Sequence, residues 1–144
     1  MRTFASQNDL FTLSVAAERA TQAVPSSAEL GQYPTPFWVA EALVARHFGK
    51  LDANDFVIEP SCGPGSFLNA VPDHVPACGV EIDARMVDLA RRNTRRQIIQ
   101  GDFRTVELDM QPTAIIGNPP FNMKLIDGFL HRSHELLPEA EGWA

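Results

Sequence analysis

No apolar run in the 144 residues approaches the roughly 18 to 20 needed to cross a bilayer. The opening Met1-Arg2-Thr3-Phe4-Ala5-Ser6 also lacks a signal-peptide core. Cysteine is scarce: Cys62 and Cys78 are too few for a disulfide framework, and each sits beside glycine in apolar surroundings. These absences lead to the expectation of a cytoplasmic protein in a reducing compartment, with no membrane partner. Positive charge is also short. Twelve Lys+Arg against eighteen Asp+Glu leave a net charge of −6, so phosphate neutralisation alone cannot hold a polynucleotide, which needs a local patch or another protein. Internal repeats and low-complexity tracts are lacking. What remains, 44% hydrophobic and 21% charged with 11 Pro and 9 Gly, describes one globular domain and excludes collagen, coiled coil and wholesale disorder.

Leu10, Leu13, Ala17 and Ala20 fall near one helical face before Pro25-Ser26-Ser27 interrupts. Residues 1–30 are therefore expected to form a helical extension and linker, and 31–144 the main domain. Thr35-Pro36 reads as a capping residue followed by proline at the first helical position, opening a helix that ends near Phe48-Gly49. Strands are expected at Phe56 to Glu59, Ala77 to Ile82, Gln97 to Ile99 and Ala114 to Gly117. Between them lie a glycine turn, a short helix from Ser66 to Val71 and a helix capped by Asp83 that runs through Asn93. A last helix spans about Lys124 to Leu137 and stops at Pro138. Alternating strands and helices imply an α/β fold with a parallel, right-handed sheet covered by helices on both faces. Ile115 and Ile116 suit a central strand with a neighbour on each side, yet only one helix follows. The expectation is a folding unit completed by further chain or by a second polypeptide.

The polar signals sit just past the carboxyl ends of these strands, where open α/β sheets bind ligands. Gly63-Pro64-Gly65 gives a tight turn with little bulk before a helix. Glu81 lies 22 residues after Glu59, the spacing at which a carboxylate accepts from ribose hydroxyls, although Leu68 stands where a dinucleotide fingerprint wants a small residue. Asp102 offers an acceptor for an exocyclic amine, with Phe103 beside it to pack on a purine. The group Asn118-Pro119-Pro120-Phe121 adds a stiff backbone, an amide oxygen and a flat ring. Asn118 and the Pro119 carbonyl can accept both hydrogens of an amino group while Phe121 stacks on its ring.

The segments Gly31-Gln32-Tyr33-Pro34-Thr35-Pro36, Glu59-Pro60-Ser61-Cys62-Gly63-Pro64-Gly65-Ser66-Phe67-Leu68, Gly79-Val80-Glu81-Ile82-Asp83, Gly101-Asp102-Phe103 and Asn118-Pro119-Pro120-Phe121 resemble, in order, the motifs of S-adenosylmethionine-dependent amino-methyltransferases. They are most similar to those of the N6-adenine DNA methyltransferases, because of the opening Tyr-x-Thr-Pro element. The Asn-Pro-Pro-aromatic element is shared with enzymes that methylate rRNA bases, cytosine N4 and protein glutamine. The resemblance implies a class I, Rossmann-like catalytic domain over 31–144, S-adenosyl-L-methionine as cofactor and DNA as partner, as in restriction-modification. It implies Tyr33, Thr35 and Pro36 at the methionine end, Thr35 near its carboxylate, and Glu59, Cys62, Gly63 and Gly65 around that moiety. Glu81 would hold the ribose, Ile82 pack on adenine, Asp102 accept from its amine and Phe103 contact the ring. Asn118, Pro119, Pro120 and Phe121 would form the catalytic target-base site, where the base's amino nitrogen attacks the sulfonium methyl in line without a covalent enzyme intermediate. A methyltransferase of rRNA or protein glutamine, and a cofactor-binding subunit without turnover, are the alternatives.

Three further features are discounted. Arg85, Arg91, Arg92, Arg95 and Arg96 read as a solvated face. His131 and His134 lack an obvious third ligand, so no metal is expected. Amine chemistry needs no thiol nucleophile, which leaves Cys62 as a small residue lining the turn.

Overall fold

The computed structural model describes residues 33–137. The extension expected over 1–30 and the stop at Pro138 lie outside the described residues. Eight elements follow one another: α1 (Phe37–His47), β1 (Val57–Glu59), α2 (Ser66–Ala70), β2 (Ala77–Glu81), α3 (Ala84–Asn93), β3 (Gln97–Gln100), β4 (Ala114–Ile115) and α4 (Met123–Leu136). The strands pair in parallel in the order β3-β2-β1-β4. The chain starts in the middle at β1, steps outward to β2 and β3, then returns to the other side of β1. That reversal opens a crevice between the carboxyl ends of β1 and β4.

Side chains alternate across a strand, so neighbours on β1 serve opposite faces. Val57 packs with Ala40 and Val44 of α1, with Phe67 of α2 and with Val71 just after it. Ile58 packs with Cys78, Val80, Phe103 and Leu136 of α4. Val87 and Ala90 of α3 close over Ile98, Cys62 and Leu68. Three helices thus cover one face and α4 the other, which is why the strands are apolar on consecutive residues. Val57, Ile58 and Val80 are all but sealed from solvent, each burial contributing about 1.5–3 kcal/mol.

Local chemistry sets the helix starts. The Asp83 carboxylate accepts from the Arg85 N–H at 2.9 Å and caps α3 as expected. Asn122 does the same for α4, accepting from the Lys124 N–H at 3.1 Å, so that helix opens at Met123. At α1 the expectation needs correcting. Pro36 is the residue before the helix, not its first, and no side chain caps it; the Thr35 hydroxyl is engaged elsewhere. Strand β4 is also shorter than expected and lies at the edge of the described sheet, paired with β1 alone. Ile116 still donates to the Ile58 carbonyl at 3.0 Å, but Pro119 and Pro120 have no N–H with which to extend a ladder.

Gly79 on β2 marks close packing of the glycine turn and α2 on the sheet. A Cβ there would stand 2.8 Å from the Cys62 side chain and 2.8 Å from Leu68 Cδ1. Gly79→Ala is expected to cost about 1–3 kcal/mol by overpacking and to push the glycine turn off the sheet. Chemical denaturation checks this; a midpoint equal to the parent protein's would contradict the close approach.

Candidate active site

A cavity of roughly 280 Å³ lies over the carboxyl ends of the strands, a size suited to one small molecule. Tyr33, Thr35, Glu59, Cys62, Gly63, Glu81, Ile82, Asp102, Phe103, Asn118 and Pro120 from the sequence expectations all line it. Pro36, Gly65, Pro119 and Phe121 do not. Phe121 is 65% exposed and stands against Tyr33, ring centroids 5.8 Å apart and 62° between planes. Sequence reasoning missed Met86, Arg104, Leu125 and Phe129 in the lining. Leu125 and Phe129 sit four apart on α4, a signal that was available.

The glycine turn is held by hydrogen bonds on both sides. The Cys62 N–H donates to the Val80 carbonyl at 3.0 Å, and the Gly65 N–H to the Cys62 carbonyl at 2.8 Å. Gly63 and Gly65 have φ of 49° and 89°, the left-handed region that side chains rarely adopt. A Cβ on Gly63 would meet nothing within 4 Å, so its bare backbone leaves open space in the cavity wall. The Gly63 N–H donates to Glu81 Oε2 at 2.8 Å and the Asp83 N–H to Oε1 at 2.9 Å. The buried Glu81 carboxylate is thereby fixed at the end of β2.

Glu59 is equally buried and accepts from the Leu68 N–H at 3.2 Å. Desolvation first, and the nearby Glu81 charge to a smaller degree, push its carboxyl well above the ordinary 4.5. A raised pKa means the folded chain binds a proton that the unfolded chain has lost. The contribution of Glu59 to stability is then greatest below about pH 4.5 and declines as pH rises from there to the folded value. Glu59→Gln is expected to flatten that decline above about pH 4.5 in thermal melts, whereas parallel slopes would refute the assignment.

Asp102 is less open than the sequence implied. Arg104 Nε donates to Oδ1 at 2.9 Å, Arg104 Nη2 grips Oδ2, and this pairing holds the carboxyl below its ordinary value. Gly128 on α4 makes room for that arm, since a Cβ there would lie 2.7 Å from Arg104 Cδ. Phe103 lines the cavity, and its ring is 1% exposed and packs against Phe129 at 5.4 Å, so it is also part of the core.

At the other end, the loops after β1 and β4 are tied together. Ser61 Oγ donates to the Asn118 main-chain carbonyl at 3.2 Å, and a Cβ on Gly117 would lie 3.2 Å from Pro60 Cδ. Asn118 Nδ2 donates to the Tyr33 carbonyl at 3.3 Å and to Thr35 Oγ1 at 3.4 Å. The cavity therefore has an acidic end at Glu81 and Asp102 and an amide end at Asn118.

The discounted features fall elsewhere. Burial pushes the Cys78 thiol up to about 11, and that of Cys62 higher still, so neither is a ready thiolate. The arginine run is not purely solvated. Arg96 donates to the Val71, Pro72 and Val75 carbonyls and Arg91 to that of Ile98, bracing α3 and β3. His131 faces Glu135 at 3.3 Å on the exposed side of α4. No helix among the described residues is long and apolar enough to cross a membrane.

No family model matches the chain. It is 41% identical over 68 residues to the type II methyltransferase M.CvrRI of Paramecium bursaria Chlorella virus XZ-6E, a match covering 45% of this chain and 18% of the relative. It is 29% identical over 154 residues to the tRNA (guanine(10)-N2)-dimethyltransferase of Methanothermobacter thermautotrophicus, covering 92% of this chain and 46% of the relative. The chain thus spans less than half the length of either. Among solved structures, PH1948 of Pyrococcus horikoshii, assigned as an RNA methyltransferase, aligns with a TM-score of 0.62 and 21% identity over 88% of this chain and 69% of that one. An RNA methyltransferase of Salinibacter ruber, solved with S-adenosyl-L-homocysteine, aligns with 0.53 and 25% over 69% and 71%. The chain is similar in sequence to methyltransferases, and its fold is the class I, Rossmann-like methyltransferase fold.

Proposed function

We propose that this chain binds S-adenosyl-L-methionine and directs its methyl group to the exocyclic amine of a nucleobase, adenine N6 in DNA. The observation that carries the reading is a single cavity lined at one end by Glu81 and Asp102 and at the other by Asn118. The open space beside Gly63, the fixed Glu81 carboxylate and the Ile82 and Met86 side chains fit an adenosyl group. In this reading Glu81 accepts from the ribose hydroxyls, and Asp102 shares its oxygens between Arg104 and the purine amine. Tyr33, Thr35, Glu59, Cys62 and the glycine turn surround the methionine moiety, with a Glu59 carboxyl oxygen accepting a hydrogen bond from its ammonium group. The S-adenosyl-L-homocysteine found with the Salinibacter ruber protein, the demethylated form of that cofactor, supports this choice. S-adenosyl-L-methionine, when bound, would supply an electrophilic methyl on a sulfonium.

The chain's own residues then prepare the nucleophile. An aromatic amine is weakly nucleophilic because its lone pair is delocalised. Hydrogen bonds from its two protons to Asn118 Oδ1 and the Pro119 carbonyl favour a pyramidal nitrogen and stabilise the positive charge that develops on it. Base flipping out of duplex DNA costs a few kcal/mol, and the exposed Phe121 ring beside Tyr33 offers replacement stacking. DNA is favoured by the Tyr33-x-Thr35-Pro36 element and by the type II methyltransferase relative. A guanine N2 amine in tRNA is the second reading, favoured by the relative that matches over 92% of this chain. With a net charge of −6, a further polypeptide is proposed to help hold the polynucleotide.

Incubation with labelled cofactor and unmodified DNA, tRNA, rRNA or protein, followed by mass spectrometry, decides between them. N6-methyladenine in DNA is the expected product. An N2-methylguanine product transfers the reading to RNA, and cofactor binding by calorimetry without any transfer identifies a subunit lacking turnover.

A further inference from the structure

We propose that Thr35 is a positioning residue for Asn118, acting with the Tyr33 carbonyl to turn the amide so that Oδ1 and not Nδ2 faces the acceptor amine. This rests on the proposed role of Asn118. The terminal torsion of asparagine is broad and nearly two-fold, so nothing in the residue itself selects which amide atom faces the cavity. In the flipped orientation its NH2 would meet the hydrogens of an incoming amine, donor against donor.

The contacts remove that ambiguity. The Tyr33 carbonyl has no hydrogen to give, so the amide atom 3.3 Å from it must be the nitrogen. Thr35 Oγ1 receives the same NH2 group at 3.4 Å. Both nitrogen contacts lie on the 33–35 segment, which leaves Oδ1 as the atom the amide presents away from it. The main chain is pinned separately, by Ser61 on the Asn118 carbonyl and by the prolines that follow. Side-chain rotation is the freedom left for Thr35 to fix. It also explains why Thr35 does not cap α1, since its hydroxyl is turned towards a residue 83 positions away.

The test uses protein labelled with 15N-asparagine, with the Asn118 Nδ2 signals identified by their loss in Asn118→Ala. Thr35→Val keeps shape and removes the hydroxyl; Thr35→Ser keeps the hydroxyl. Thr35→Val is expected to speed Nδ2 proton exchange about tenfold, as loss of one hydrogen bond of ordinary strength implies. With saturating cofactor it should also lower kcat on unmodified adenine-containing duplex DNA about tenfold, and Thr35→Ser should restore both. Thr35→Ala serves the same purpose should valine distort the loop. An Nδ2 exchange rate untouched by loss of the hydroxyl overturns the positioning role alone, whether or not DNA is methylated. Full turnover by Asn118→Ala overturns the reading of the site and the positioning role with it.

Discussion

Asn118→Ala is expected to lower kcat for methyl transfer by about 10²- to 10³-fold, the usual loss when a group aimed at developing charge is removed. Cofactor affinity should stay within about twofold. The two effects separate because Asn118 stands at the amide end of the cavity, whereas the carboxylates assigned to the cofactor come from β1, β2 and the loop after β3. Alanine also leaves the Tyr33 carbonyl and Thr35 hydroxyl without the amide, but both lie near the surface, where water replaces it. Stability should therefore change little. Single-turnover kinetics with saturating cofactor give the cleanest reading, since product release no longer masks the chemical step. An alanine variant with parental turnover would exclude the amide from the reaction.

Glu81→Ala should weaken cofactor binding by about 100-fold or more. Its carboxylate fixes the Gly63 N–H and the Asp83 N–H at once, so the substitution loosens both the glycine turn and the start of α3. Hydrogen bonds to a charged acceptor contribute about 1.5–3 kcal/mol each, and every 1.4 kcal/mol is tenfold in affinity. Loss of the ribose contacts adds to the loss of preorganisation. Glu81→Gln keeps one acceptor oxygen and should fall between the two. Calorimetric titration with the cofactor measures the series, and equal affinities throughout would remove Glu81 from the site.

Much of this fold could be read from local chemistry. Asp83 before Ala84-Arg85 and the apolar strand cores each declare themselves within a few residues, because capping and two-sided burial act over short distances. Asn122 carries the same capping chemistry yet escaped, being adjacent to the Asn118-Pro119-Pro120-Phe121 motif that absorbed the reading. That Glu81 and Asn118 line one cavity was legible because strand ends converge in any open parallel sheet. Arg104 was not, since its place depends on the gap that Gly128 leaves on a helix 24 residues later. Nor was the burial of Phe103, which follows from α4 closing over that face of the sheet and bringing Phe129 against its ring. The capping of α1 by Thr35 was mistaken for the same reason: its partner, Asn118, lies across the fold and not in the next turn.

A crystal structure of the protein soaked with S-adenosyl-L-homocysteine tests the central claim most directly. It should show the ribose at Glu81, the purine between Ile82 and Asp102, and the sulfur directed towards Asn118 through the shared cavity. A nucleoside bound outside that cavity, or a sulfur directed away from Asn118, would contradict the account.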